Sequence, residues 1–182
     1  MASLPAKVFS TGSGSACTVL LVLAASLGLL ASPASAQQQA GTHAVKLLTP
    51  DTALKAAQAA LAHCRQAGHQ AAVAVVDRAG VLQVLLRDRF AGAHTVEVAT
   101  RKAWTAASFR IPTTQLAAET QAGRSMSGIR AASQVMAIGG GLPIEAGGTT
   151  FGGIGVSGAP GGDADDACAQ AGLKAITEAI EF

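Results

Sequence analysis

Residues 139–162 read GGGLPIEAGGTTFGGIGVSGAPGG, and this stretch decides the fold. Thirteen of the 21 glycines lie between Gly123 and Gly162. Apolar residues interleave with them as buried strand residues do: Leu142, Ile144, Phe151, Ile154 and Val156. Because glycine has no side chain, a ligand or another backbone can come close to such a segment. The stretch therefore predicts ordered strands over 142–145 and 149–157 rather than a linker.

The first 36 residues have the pattern of a secretory signal peptide. Lys7 precedes an apolar core at 19–31, and Ala34-Ser35-Ala36 forms a cleavage signal. The core is shorter than the roughly 20 residues that a transmembrane helix needs. We therefore expect a periplasmic or secreted protein without a stable membrane anchor. It would consist of a flexible N-terminal segment at 37–48 and one domain at 49–182.

Charge and cysteine content narrow the classes of partner. The formal net charge is only +2, which gives no electrostatic basis for binding nucleic acid. Cys17 leaves with the leader, so Cys64 and Cys168 remain in a compartment where disulfides persist. A single disulfide is the plain expectation. The alternative, a metal or thiolate site, lacks a C-x-x-C spacing.

The remaining pattern predicts an α+β fold. Helices are expected over 50–67, 94–109 and 163–181, with a short one after Pro112 that Thr113 or Thr114 caps. Strands are expected over 73–77, 81–87 and 134–138, in addition to the two in the glycine-rich stretch. Tight turns at 77–80 and 146–148 join neighbouring strands as hairpins. This order favours a central antiparallel sheet of about five strands flanked by helices.

Residues 153–158 match G-x-G-x-x-G literally, so dinucleotide binding has to be weighed. In a Rossmann fold these glycines open a helix whose N-terminus holds the pyrophosphate. Here they lie inside a predicted strand, and the next helix begins with Asp163, Asp165 and Asp166, which would repel phosphates. Helix capping by Asp163 explains these aspartates better than a calcium loop does.

Five runs carry a family resemblance. They are VAVVDRAG at 73–80, RKAWTA at 101–106, Pro112-Thr113, GGGLPI at 139–144 and GIGVSGA at 153–159. Together they resemble the GlcG/HbpS haem-binding family over nearly the whole chain after the leader. The resemblance implies a five-stranded antiparallel sheet and assembly into homo-oligomers. Secreted members resemble haem-binding and redox-sensing proteins, for which haem degradation has also been proposed; others are associated with glycolate oxidation or corrinoid adenosyltransferases.

The resemblance thus implies a secreted protein that binds haem or a related small ligand, in sensing, storage or trafficking. Two alternatives stay open: an enzyme that acts on a small carboxylate or degrades haem, and a corrinoid-associated accessory protein. The chain has no tyrosine and no C-x-x-C-H motif, so haem would be held non-covalently. His94, at a loop-to-helix junction, is the predicted axial ligand, unless it only caps the helix.

Further site residues follow from the resemblance and from spacing. The resemblance implies that Thr113 contacts haem, and its alternative role is the N-cap of the short helix. Arg101 lies two helical turns from His94, and with Lys102 it could hold the carboxylate of a haem propionate or a small acid. Alternatively, Arg101 pairs with Glu97. Gly140 and Gly141 are expected in the opposing backbone wall of the ligand site. We find no positioned nucleophile, so the pattern favours binding over catalysis.

Overall fold

The structure, a computed structural model, describes residues 41–181. The predicted signal peptide and Cys17 lie outside these residues. The elements are, in chain order, α1 (Pro50–Gln66), β1 (Ala72–Asp77), β2 (Leu82–Arg87), α2 (Thr95–Phe109), α3 (Thr113–Glu119), a 3-10 helix (Ser127–Ala131), β3 (Gly141–Ala146), β4 (Thr149–Ser157) and α4 (Gly162–Ile180). The predicted α+β class is confirmed. Within 41–181, no helix is long and apolar enough to cross a membrane.

The sheet is antiparallel and has the strand order β2-β1-β4-β3. Both predicted hairpins form, β1 with β2 and β3 with β4. The second turn places Gly147 and Gly148 at φ 55° and 74°, a pair of left-handed conformations that suits glycine. The central pair, β1 and β4, runs from Ala72 opposite Ser157 to Asp77 opposite Gly152. The start of β1 therefore lies beside the end of β4.

The expected fifth strand, at 134–138, is absent, and the sheet has four strands. The segment lies against α2, where side chains satisfy its backbone groups. The guanidinium of Arg101 donates to the carbonyl of Val135 at 3.1 Å, and the amide of Met136 donates to the Thr105 hydroxyl at 2.9 Å. Val135 and Ala137 pack on Leu116 in a small separate core. The alternation of apolar residues at 134–138 therefore resembles that of a strand, although the backbone there bonds to side chains of α2 and not to a neighbouring strand.

Two helical layers cover the sheet. Helices α1 and α4 pack on one face, against a core that includes Val73, Val75, Ile154 and Val156. Helix α2 covers the opposite face, where its alanines meet β1: Ala99, Ala103 and Ala107 contact Ala72, Ala74 and Val76. Cys64 of α1 and Cys168 of α4 form a disulfide; their Cα atoms are 5.4 Å apart, and the two residues are 104 positions apart in sequence. The disulfide joins the two helices that share one face.

The helix starts agree with the sequence prediction at α1 and differ at α4. Thr49 caps α1, because its hydroxyl accepts from the amide of Thr52 at 3.2 Å. Helix α4 begins at Gly162, and its N-cap is Gly161, without a side-chain cap. The predicted cap by Asp163 is wrong, since that side chain is exposed on the first turn instead.

The glycines of β4 allow the backbone of α2 to pack directly on the strand. A Cβ at Gly155 would overlap the carbonyl oxygen of Ala99 and lie 2.5 Å from the amide of Ala103. A Cβ at Gly153 would overlap the carbonyl oxygen of Ala103. The main chain of α2 therefore occupies the space that these two missing side chains leave. The sequence left a ligand and a second backbone as alternatives, and at these positions it is the backbone of α2.

We expect Gly155→Ala to lower the free energy of unfolding by about 1–3 kcal/mol or more, because overpacking forces α2 away from β4. Gly128→Ala is the control, since a Cβ there meets nothing within 4 Å; its change should stay within about 0.5 kcal/mol. Urea denaturation followed by circular dichroism measures both. Equal stability of the two variants would contradict the tight contact.

Candidate functional site

A cleft of about 690 Å³ opens where the end of β4 meets the first turns of α2 and α4. The antiparallel pairing of β1 with β4 brings the loop before β1 to the same place. The polar and aromatic side chains that line the cleft are His69, Gln70, Phe90, His94, Thr95, Lys102, Ser157 and Asp165. The loop at 158–162, which has only small side chains and a proline, forms one wall. Such a volume is ordinary for small-molecule and cofactor sites.

Two histidines line this cleft. His94 is the exposed N-cap residue of α2, as the capping alternative expected, but its side chain makes no capping hydrogen bond and lines the cleft. His69 lies in the loop between α1 and β1 and is half-buried. Sequence analysis did not select His69, because only the pairing of β1 with β4 brings that loop to the cleft. The site therefore has two imidazoles where one was expected.

A buried ion pair forms the floor of the cleft. The Lys102 ammonium donates to a carboxylate oxygen of Asp165 at 2.7 Å and to the carbonyl of Val156 at 2.9 Å. The other carboxylate oxygen of Asp165 accepts from the amide of Ala159 at 3.0 Å. Only 2% of the Lys102 side chain and 5% of the Asp165 side chain are exposed. Burial raises the pKa of Asp165, while the bonds from Lys102 and Ala159 act in the opposite direction.

Arg101 does not share the cleft with His94, although the spacing predicted a common face. Its guanidinium pairs with Glu97 at 3.2 Å and donates to Val135 on the other side of α2. The alternative pairing with Glu97 is therefore the one found. Val98 and Lys102, four and eight positions after His94, line the cleft with it. Of the two cations expected in the cleft, only Lys102 lines it, and its ammonium is already paired with Asp165.

Thr113 lies in the protein interior. It is fully buried, and its hydroxyl accepts from the amide of Gly141 at 2.8 Å and donates to the carbonyl of the same residue at 3.3 Å. Pro112, rather than Thr113, occupies the N-cap of α3. Both expectations for Thr113 need correction, because its hydroxyl has no exposed face for haem and does not cap the helix.

Gly140 and Gly141 also serve packing rather than a ligand wall. A Cβ at Gly140 would lie 2.6 Å from the Cβ of Asp165, and one at Gly141 would lie 2.6 Å from the backbone oxygen of Lys102. The amide of Gly140 donates to a carboxylate oxygen of Asp166 at 2.5 Å. Both glycines thus fit between α2 and the start of α4, outside the cleft lining.

The described residues offer few other sites for a metal. Within 41–181 no group of three or more His, Cys, Asp or Glu side chains is placed to hold a metal ion. The imidazoles of His69 and His94 are the donors that the cleft provides.

The sequence matches the family described as haem degrading protein HbpS-like over residues 48–174, and the chain belongs to this family. Solved structures have the same fold. HbpS from Streptomyces reticuli, a double mutant, is 37% identical, with a TM-score of 0.70 over 79% of this chain and 96% of that chain. A haem complex of PduOC is 28% identical, with a TM-score of 0.68 over 72% and 96%. Protein ORFY of Klebsiella pneumoniae is 26% identical, with a TM-score of 0.73 over 76% and 96%. No curated protein matches the chain.

We expect Asp165→Ala to lower the free energy of unfolding by about 3–5 kcal/mol, because it leaves the Lys102 ammonium buried without its counter-charge. Adding Lys102→Met should restore part of the loss, since the double variant has no buried charge. Glu97→Ala, which breaks the exposed pair with Arg101, should cost at most about 1 kcal/mol. Thermal and urea unfolding measure all three. If Asp165→Ala were as mild as Glu97→Ala, Lys102 would have another route to solvent.

Proposed function

We propose that this protein binds haem reversibly in the cleft, with the imidazole of His94 as axial ligand. The observation that carries the proposal is the exposed His94 side chain on the cleft, which makes no capping hydrogen bond. The family description and the haem complex of a structural relative support the choice of ligand. Histidine is among the usual axial ligands of haem in proteins.

The chemistry of the cleft fits a haem. Phe90 and Ile138 line it with 76% and 50% of their surface exposed, so an apolar macrocycle could cover both. His69 offers a second imidazole in the same cleft. When bound, haem would supply a redox-active iron. The protein would supply an orienting imidazole, apolar contacts that exclude water, and a floor whose ion pair adds no net charge.

The small-carboxylate enzyme is the weaker alternative. That hypothesis relied on Arg101 and Lys102 as free cations. Arg101 pairs with Glu97 away from the cleft, and Lys102 pairs with Asp165. A haem site needs neither of them as its iron ligand. The same bound haem would be required for haem degradation, the activity in the family description.

We expect titration of haemin into the purified protein to give a saturable, shifted Soret band. His94→Ala should weaken binding and move the band, since it removes the iron ligand. His63→Ala is the matched control, because His63 is exposed on α1 and lies outside the cleft lining. Absorbance spectra and a binding isotherm measure both effects. Progressive loss of the Soret band after binding, with added reductant and oxygen, would indicate degradation.

Three outcomes of this titration would change the proposal. No saturable binding would exclude haem as the ligand. Equal spectra for the wild type and His94→Ala would remove His94 as the axial ligand. If only His69→Ala altered the spectrum, the second imidazole in the cleft would be the ligand.

We infer that the protein works outside the cytoplasm, as an oxidised protein. The signal-peptide pattern of residues 1–36 and the pairing of Cys64 with Cys168 support this location. Cell fractionation should find a cleaved protein beyond the inner membrane, whose thiols react with maleimide only after reduction. A full-length cytoplasmic protein with two free thiols in this domain would contradict the inference.

We also infer assembly into a homo-oligomer, as the family resemblance implies. Val81, directly before the edge strand β2, and Leu82, its first residue, are 61% and 44% exposed. Unpaired edge strands with apolar residues commonly associate. Sedimentation as a monomer at micromolar concentration would contradict this assembly.

A further inference from the structure

The hydroxyl of Ser157 is an unused polar group in the cleft. Ser157 is the last residue of β4, only 5% exposed, and lines the cleft. In the part of the chain that the structure describes, its hydroxyl has no hydrogen-bond partner. Because this hydroxyl has no partner within the protein and is open to the cleft, it is free to donate to a bound ligand. The position therefore suits a ligand that accepts a hydrogen bond.

The Lys102 ammonium is a second donor in the same cleft. It donates to the carbonyl of Val156, which is peptide-bonded to Ser157, and to the carboxylate of Asp165. An ammonium has three donors, so two bonds leave one N–H for a further acceptor. Lys102 lines the same cleft as Ser157. The cleft therefore offers two side-chain donors, one from β4 and one from α2.

The first turn of α4 supplies a third set of donors. Its N-cap is Gly161, which provides no side-chain cap, so the first amides of this 19-residue helix lack a capping acceptor. Gly161 and Gly162 line the cleft. A helix N-terminus carries partial positive charge and favours an anion. The N-terminus of α4 and the unpartnered Ser157 hydroxyl thus line the same cleft.

The charges nearby select the kind of anion. Asp165 is paired with Lys102, and Asp166 accepts from the amide of Gly140 and from the hydroxyl of Thr114. Asp163 is exposed and lies outside the cleft lining. With one paired lysine, two aspartates in the first turn of α4 and Asp166 directly after them, a doubly charged phosphate would be repelled. A singly charged, planar carboxylate matches the available donors better.

We propose that the inner end of the cleft is a carboxylate-binding subsite, in which the Ser157 hydroxyl, the Lys102 ammonium and the first turn of α4 donate to the ligand. The carboxylate comes either from a haem propionate or from a free small acid. The propionate source rests on the proposed haem function, whereas the free-acid source is independent of it.

The test compares haemin with haemin dimethyl ester, which has the same iron and macrocycle but no free carboxylate. Both are titrated into the wild type, Ser157→Ala and Ser108→Ala. Ser108 is the matched control, since it is exposed on α2 outside the cleft lining. Because the Ser157 hydroxyl has no internal partner, Ser157→Ala should unfold at the wild-type temperature. Sodium acetate is titrated into the same three proteins by calorimetry as the free-acid probe.

For a propionate, the wild type should bind haemin about tenfold or more tightly than the ester, as expected for a hydrogen bond to a charged group. Ser157→Ala should shrink this ratio, and Ser108→Ala should keep it. For a free acid, acetate should bind saturably to the wild type and Ser108→Ala and at least several-fold more weakly to Ser157→Ala.

Two results would overturn the subsite. In the first, haemin and its ester bind equally, or their ratio is the same in Ser157→Ala, and acetate binding is absent or unchanged; haem binding itself would then stand. In the second, neither porphyrin binds and acetate does not bind either, so both proposals fail. If neither porphyrin binds but acetate binding depends on Ser157, the haem function fails and the subsite remains.

Discussion

The close approach of α2 to β4 is the constraint on which the rest of the structure depends. Gly153 and Gly155 leave room for the carbonyls of Ala103 and Ala99, so the helix lies directly on the strand backbone. On this closely packed helix the Lys102 side chain is almost fully buried, and its ammonium donates to the carbonyl of Val156. A buried ammonium needs a counter-charge, and the first turn of α4 provides it through Asp165. The glycines of β4 thus determine where Lys102 lies, and Lys102 in turn determines where the first turn of α4 packs.

The cleft consists of the ends of elements whose middles are tightly packed. His94 precedes α2, Ser157 ends β4, and Asp165 lies in the first turn of α4. Each of these elements has a buried face, so the site residues have little freedom to move relative to one another. Of the loops that complete the cleft, the one at 158–162 has only small side chains and a proline, whereas the one at 68–70 carries His69 and Gln70. A rigid frame with one wall of small residues suits a ligand that must enter and leave.

The sequence predicted the architecture well, because the fold follows from local signals. Two hairpins, three long helices and the apolar faces all follow from periodicity, turn glycines and caps. The failed strand at 134–138 shows the limit of such signals. Its alternation of apolar residues resembles that of a strand, but Arg101 and Thr105 of α2 satisfy its backbone. Because Arg101 and Thr105 are about 30 positions away in sequence, the local pattern at 134–138 cannot show that they bond to this segment.

The site was less predictable for the same reason. His94 could be selected from its position before a helix, whereas His69 reaches the cleft only through the pairing of β1 with β4. Arg101 and Lys102 are adjacent in sequence, yet one faces Val135 and the other Asp165. The aspartates of α4 were interpreted as caps, although Asp165 and Asp166 hold other segments in place. The glycines of β4 correctly predicted that another group approaches the strand closely, but they did not identify that group as helix α2.

The disulfide also bears on the order of events during synthesis. Cys64 and Cys168 are 104 positions apart, and the second lies in the last helix. The bond can close only after nearly the whole chain has been synthesised. A chain that stops before α4 would keep a free thiol at Cys64. The bond thus distinguishes finished molecules from truncated ones.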